Sequence, residues 1–280
     1  MIDLPKLPTE YLFIFGFLLF ILSGVIIFAL INMIESAFVM IYKKPLYRHS
    51  SIWLKKLPKQ QKDILEEKFI FYNRLPAKEK KFFENRLSRF ITDKEFIGRD
   101  GIVVSEEMIV LISATAVMLT FGFRNFYIRS VEVIFIYPSQ FYSQTNDAYH
   151  KGEYNYRLKA LVLSWSHFLE GYDIENDNLN LGIHEFVHAI HLNSMREKHI
   201  GAAIFTDTFY ELNELLANSK NLRERMISTG YFREYGLTNQ FEFVAVIIET
   251  FIETPTEFRS QFPEVYAKTK QMLNFNFSGY

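Results

Sequence analysis

The chain has 280 residues, 49% hydrophobic and 22% charged, enough apolar material for one sizeable globular core plus an appendage, and this composition excludes a disordered tail. A formal net charge of −1 lacks the basic excess that nucleic-acid binders carry, so no nucleic-acid partner is expected. Cysteine is absent, which removes disulfides, thiolate metal sites and Cys nucleophiles and leaves His and carboxylates as the strong metal ligands.

Residues 1–10 read as a short N-terminal tail. The stretch YLFIFGFLLFILSGVIIFALI, Tyr11 to Ile31, carries no charge over 21 residues and so reads as a single transmembrane helix, since a helix of roughly 20 residues crosses a hydrocarbon core. A cleaved signal peptide fits less well, because such a segment starts basic and has an apolar core of about 7–15 residues. Here the tail carries Asp3 and Glu10 against the single Lys6. Basic side chains crowd the other flank, at Lys43, Lys44, Arg48, Lys55, Lys56, Lys59 and Lys62. The positive-inside rule then places residues 43–280 in the cytoplasm.

Residues 32–62 read as a basic juxtamembrane linker, with Pro45 and Pro58, whose lysines either rest on anionic headgroups or simply solubilise it. A domain over 63–280 follows. Asp63 to Phe90 has apolar residues at helical spacing and a break at Pro76, predicting two helices and a turn. Met108–Phe123 is a second apolar run, but its 16 residues fall short of the usual span of about 17–25. It is expected to be a buried core helix. Val131–Tyr137 and Lys159–Trp165 are rich in β-branched and aromatic residues and read as strands.

The polar stretch 171–180 ends where Asn178 or Asn180 can cap a helix from Leu181 to about Met195. Further helices are expected at Asp207–Thr229, Asn239–Glu253 and Pro263–Met272. The predicted domain is α+β, mainly helical with a small sheet.

The helix from Leu181 holds His184-Glu185-Phe186-Val187-His188. Residues four apart share a helix face, so both imidazoles can reach one metal ion, and the glutamate beside the first is placed to take a proton from metal-activated water. An exposed helix with two solvated histidines is the plainer reading. Against it, Leu181, Ile183, Phe186, Val187 and Ile190 surround the motif, and buried histidines need partners.

A catalytic zinc takes three protein ligands and keeps a position for water, so a third must come from elsewhere. His191 is awkwardly close on the same helix and suits a core role. Glu211 and Glu214 fit a solvated helix face. Glu242 and Glu249 are seven residues apart in a strongly apolar helix, nearly two turns, and share one stripe. One of them can ligate while the other orients a ligating histidine.

From about Leu57 to the C-terminus the chain resembles the Mlc titration factor A family of bacterial zinc metallopeptidases. The blocks that carry the likeness are LPKQQKDILEEKFIFY (Leu57–Tyr72), EFIGRDGIVVSEEMIVLISA (Glu95–Ala114), VIFIYPSQF (Val133–Phe141), LVLSWSHFLEG (Leu161–Gly171), NLGIHEFVHAI (Asn180–Ile190) and FEFVAVIIETFIETPTEFRSQFPEVY (Phe241–Tyr266).

The resemblance implies a zincin-like fold and one zinc ion per chain held by His184, His188 and Glu242. It further implies Glu185 as the general base, Tyr235 as the stabiliser of the developing oxyanion, Glu249 in support, and a peptide or protein substrate. The family commonly has Asp where this chain has His191, so that aspartate's role does not carry over; its founding members are soluble, so the helix at Tyr11–Ile31 implies a membrane-anchored variant with its own targeting, to which the family's binding of a glucose-regulated transcriptional repressor does not carry over and for which any protein regulator is unknown. The rival reading is a membrane-tethered binding protein that sequesters a cytoplasmic partner, with zinc structural or catalysis incidental.

Overall fold

Tyr11–Ile31 is apolar all round, so packing one side of a helix onto a core would still leave an apolar side in water, and these side chains are exposed along the helix. In the computed structural model this helix, α1 (Thr9–Tyr42), has 34 residues and runs well past Ile31. Residues 32–42 (NMIESAFVMIY) contain neither Gly nor Pro to stop it. It ends at Lys43, in the left-handed region at φ 50°, whose N–H donates to the Val39 carbonyl at 2.8 Å; Pro45 follows. Among the described residues, α1 is the helix long and apolar enough to cross a membrane.

The structure describes residues 8–49, 53–143, 147–173, 179–277 and 280, apart from the side chains of Thr9, Asp173, Tyr235 and Leu237. Asp3, Lys6 and Asn178 lie outside the described residues. The chain divides into two compact units, 1–46 and 47–280.

The second unit opens with α2 (Lys59–Lys68), α3 (Ile70–Arg74) and α4 (Ala77–Asp93). The break at Pro76 is where the sequence places it, and another falls at Phe69, which is extended (φ −115°, ψ 91°) so that its ring packs on Phe71, Phe83 and Tyr172. Strand β1 (Glu95–Gly98) follows, and then α5 (Glu106–Leu119), buried from Val110 to Leu119 as a core helix.

Strands β2 (Val133–Tyr137), β3 (Phe141–Ser143), β4 (Ala148–His150), β5 (Gly152–Asn155) and β6 (Ala160–Ser164) come next. The main sheet has the order β1-β2-β6-β5; β2 is parallel to β1 and β6, while β5 runs antiparallel to β6 at an edge. Strands β3 and β4 form a separate antiparallel pair.

After α6 (Trp165–Asp173) comes α7 (Leu181–Arg196), which carries the histidine motif and packs against α5, β5 and β6. It also packs against α6, α8 (Ile200–Asn218) and α10 (Gln240–Glu253). Helix α9 (Lys220–Thr229) is separate from α8, because Ser219 (φ −111°, ψ 88°) breaks what the sequence predicts as one helix over Asp207–Thr229. Helices α11 (Pro255–Gln261) and α12 (Pro263–Met272) each start on a proline, whose missing N–H costs nothing in a first turn. The unit is therefore mainly helical around one small mixed sheet, with the motif helix at its centre.

Candidate metal centre

Two asparagine caps set the geometry. The Asn180 side-chain oxygen accepts from the Ile183 N–H at 3.0 Å, and its amide nitrogen donates to the Gly171 carbonyl at 2.7 Å, which fixes the start of α7. Asn239 caps α10 by accepting from the N–H groups of Phe241 (2.9 Å) and Glu242 (3.0 Å), which puts Glu242 in the first turn of that helix. Since α7 and α10 pack against each other, the histidine face meets the glutamate stripe.

There, Nε2 of His184 lies 3.0 Å from Nε2 of His188 and 3.1 Å from Oε2 of Glu242, and Nε2 of His188 lies 3.5 Å from the same oxygen. Three donor atoms bound to one tetrahedral ion at about 2.0–2.1 Å would stand roughly 3.3 Å apart. The triangle matches that spacing, and a set of two imidazoles and a carboxylate suits a borderline divalent metal, so His184, His188 and Glu242 fit a metal site.

The charges agree with this geometry. Burial works against a proton on His184, yet its contacts with Glu242 and Glu249 outweigh it and push the imidazole up to about 10. Burial likewise raises Glu242, but the two histidines override it and hold its carboxyl well below the usual range.

Glu249 is placed differently. Its side chain is 1% exposed, and Oε1 accepts from Nδ1 of His184 at 2.5 Å, on the ring edge away from the triangle. The same carboxylate accepts from the backbone N–H of Asn180 and from Arg233. An acceptor of this kind fixes the tautomer and ring plane of a ligating histidine.

Glu185 is buried next to the triangle, and burial raises its carboxyl pKa. Its carboxylate lies against the start of edge strand β5, where a Cβ on Gly152 would fall 2.8 Å from Glu185 Oε1 and 2.7 Å from Leu181 Cδ1. Lys151, His167, Glu170 and Arg233 border the cleft beside His184 and Glu185.

Tyr235 belongs to a 3-10 turn, Glu234–Leu237, that packs on α10; its side chain lies outside the described residues. His191 is buried among the rings of Phe205, Phe209 and Phe241, and burial lowers it to about 4. Glu211 pairs with Lys268 at 2.7 Å, and Glu214 is exposed. Sequence reasoning missed Arg233 and Gly152. Arg233 is one of 31 basic residues with no spacing signal, and Gly152 is one glycine of 12.

A profile of the family described as glucose-regulated metallo-peptidase M90 matches residues 44–274. An uncharacterized protein of Synechocystis sp. is 24% identical over 242 residues, covering 79% of this chain and 85% of its own length. With the profile spanning most of its length, the chain belongs to the glucose-regulated metallo-peptidase family M90.

Proposed function

We propose that this metallopeptidase is a zinc-dependent enzyme of zincin-like fold that hydrolyses peptide bonds at His184-Glu185-Phe186-Val187-His188 with Glu242 as the distal ligand. The observation that carries it is the triangle of Nε2, Nε2 and Oε2 atoms, with the Glu185 carboxyl buried beside it. His184, His188 and Glu242 would hold the ion. Bound zinc supplies a Lewis acid that acidifies water and polarises a carbonyl.

Glu185 takes the proton from the attacking water and passes it to the departing amine; burial, by raising its proton affinity, suits it to both steps. Tyr235 would stabilise the oxygen on which charge develops by a hydrogen bond from its hydroxyl, keeping its own proton. The edge of β5 that β6 leaves free offers backbone groups to a peptide lying extended along it.

Helix α1 anchors the enzyme in a membrane, and the basic residues from Lys43 to Lys62 favour a cytoplasmic catalytic unit at a bacterial inner membrane. The test is the full chain in detergent with the Glu185→Gln substitution, assayed for zinc content and for cleavage of a peptide library. Zinc should stay near one per chain while cleavage is lost. Undiminished cleavage by the variant would rule the mechanism out.

A further inference from the structure

Just before α10, residues 232–236 are pinned to that helix on both sides of Arg233. The Phe232 ring is buried against Phe243, Phe258 and Phe262 at centroid distances of 5.9, 5.5 and 5.1 Å. Gly236 sits so close to α10 that a Cβ would lie 2.8 Å from Val246 Cγ2. Held between these two points, Arg233 donates from one nitrogen, Nη2, to both oxygens of Glu249, at 2.8 and 2.7 Å.

Both Glu249 oxygens have a second partner: Oε1 meets His184 Nδ1 at 2.5 Å, and Oε2 accepts the Asn180 N–H at 3.1 Å. A buried carboxylate without a countercharge is strongly destabilising, and one that is free to rotate does not fix the ring it touches. Arg233 supplies the countercharge and, by bridging the two oxygens, stops that rotation.

We propose that Arg233 is a positioning residue that acts through Glu249 to keep His184 in the Nδ1–H tautomer and ring plane that turn Nε2 toward His188 and Glu242, and so sets metal affinity without touching the metal. The inference rests on the metal-site reading above. Because a single nitrogen makes the bridge, a lysine ammonium can stand in for much of it, whereas a neutral amide cannot.

The test measures zinc affinity by competition with a fluorescent chelator for the full chain in detergent, as wild type, Arg233→Gln and Arg233→Lys, together with the thermal midpoint of each metal-free chain and the separate kcat and KM values. Arg233→Gln should weaken zinc binding about 10–100-fold, the usual cost of losing an outer-shell partner. Arg233→Lys should recover most of that loss; the metal-free midpoint of Arg233→Gln should drop with the lost countercharge, while that of Arg233→Lys should stay near wild type.

Unchanged zinc affinity in Arg233→Gln with a raised KM would overturn the inference and make Arg233 a substrate contact. Equal weakening in both variants with collapsed midpoints would also overturn it, leaving a purely structural role. If wild type itself bound no zinc, the metal-site reading would fall first and the inference with it.

Discussion

A methyl group on the α-carbon of Gly152 would stand 2.8 Å from the Glu185 carboxylate oxygen, so the edge strand and the proposed general base share space that only glycine leaves open. The atoms in the way, Leu181 Cδ1 and Glu185 Cγ and Oε1, all belong to side chains and none to backbone, so they can shift without unfolding the sheet. Gly152→Ala should therefore keep its fold and its zinc while moving the base. We expect kcat/KM to fall about 10²–10⁴-fold, the range that general-base catalysis contributes. Kinetics beside metal analysis check this, and an alanine variant of wild-type activity would refute the crowding.

Glu242 and Glu249 lie on one helix but face opposite edges of the His184 ring, at 3.1 Å from Nε2 and 2.5 Å from Nδ1 respectively. Glu242→Ala should lose stoichiometric zinc. Glu249→Gln should retain it with affinity lowered about 10–100-fold, as for other outer-shell carboxylates. Dialysis against graded chelator separates the two, and equal loss in both variants would contradict the assignment.

That pair also marks how far the sequence could be read. A spacing of seven put both carboxylates on one stripe, and a spacing of four put His184 and His188 on one face. Helical periodicity says nothing about depth along the groove between α7 and α10, so the choice of ligand rested on family resemblance. Strands β2 and β6 were legible from runs of Val, Ile and Leu. The three- and four-residue strands β1, β3, β4 and β5 were not, because their pairing rather than their composition defines them. The split between α8 and α9 at Ser219 was equally silent, since apolar residues continue on both sides of it. Arg233 and Gly152 act by where tertiary packing puts them and leave no pattern in the chain.

Zinc binding should release protons. With His184 raised to about 10 in the metal-free site, its ring is protonated at pH 7, and a ligand nitrogen must shed that proton to bind. Calorimetric titrations in buffers of different ionisation enthalpy should report about one proton released per zinc at neutral pH. Apparent affinity should then climb about tenfold per pH unit on the alkaline side of neutrality. A binding enthalpy independent of the buffer would exclude this coupling.

Helix α1 should make the protein integral. An alkaline carbonate wash should leave the full chain in the membrane pellet, because no exposed charge interrupts Tyr11–Ile31. In intact spheroplasts the catalytic unit should resist added protease and become sensitive only after lysis, as the basic flank requires. Digestion without lysis would reverse the orientation.

His49 should make stability pH-dependent on the acid side. Its ring stacks on Phe82 at 3.9 Å and contacts both Glu79 and Arg86; burial first, and then the Arg86 charge, lower it from 6.5 to about 4. A lowered histidine is neutral in the folded chain where the unfolded chain already binds a proton. Between pH 6.5 and about 4 the unfolded state therefore gains protons that the native state refuses, and stability falls as pH drops through that window and levels off below it. Thermal midpoints of a metal-free chain should decline from pH 7 to 5. His49→Gln, which keeps a polar group beside Glu79 but cannot titrate, should flatten the part of the slope that His49 contributes. An unaltered slope in that variant would assign the acid sensitivity to other groups, such as the buried His191.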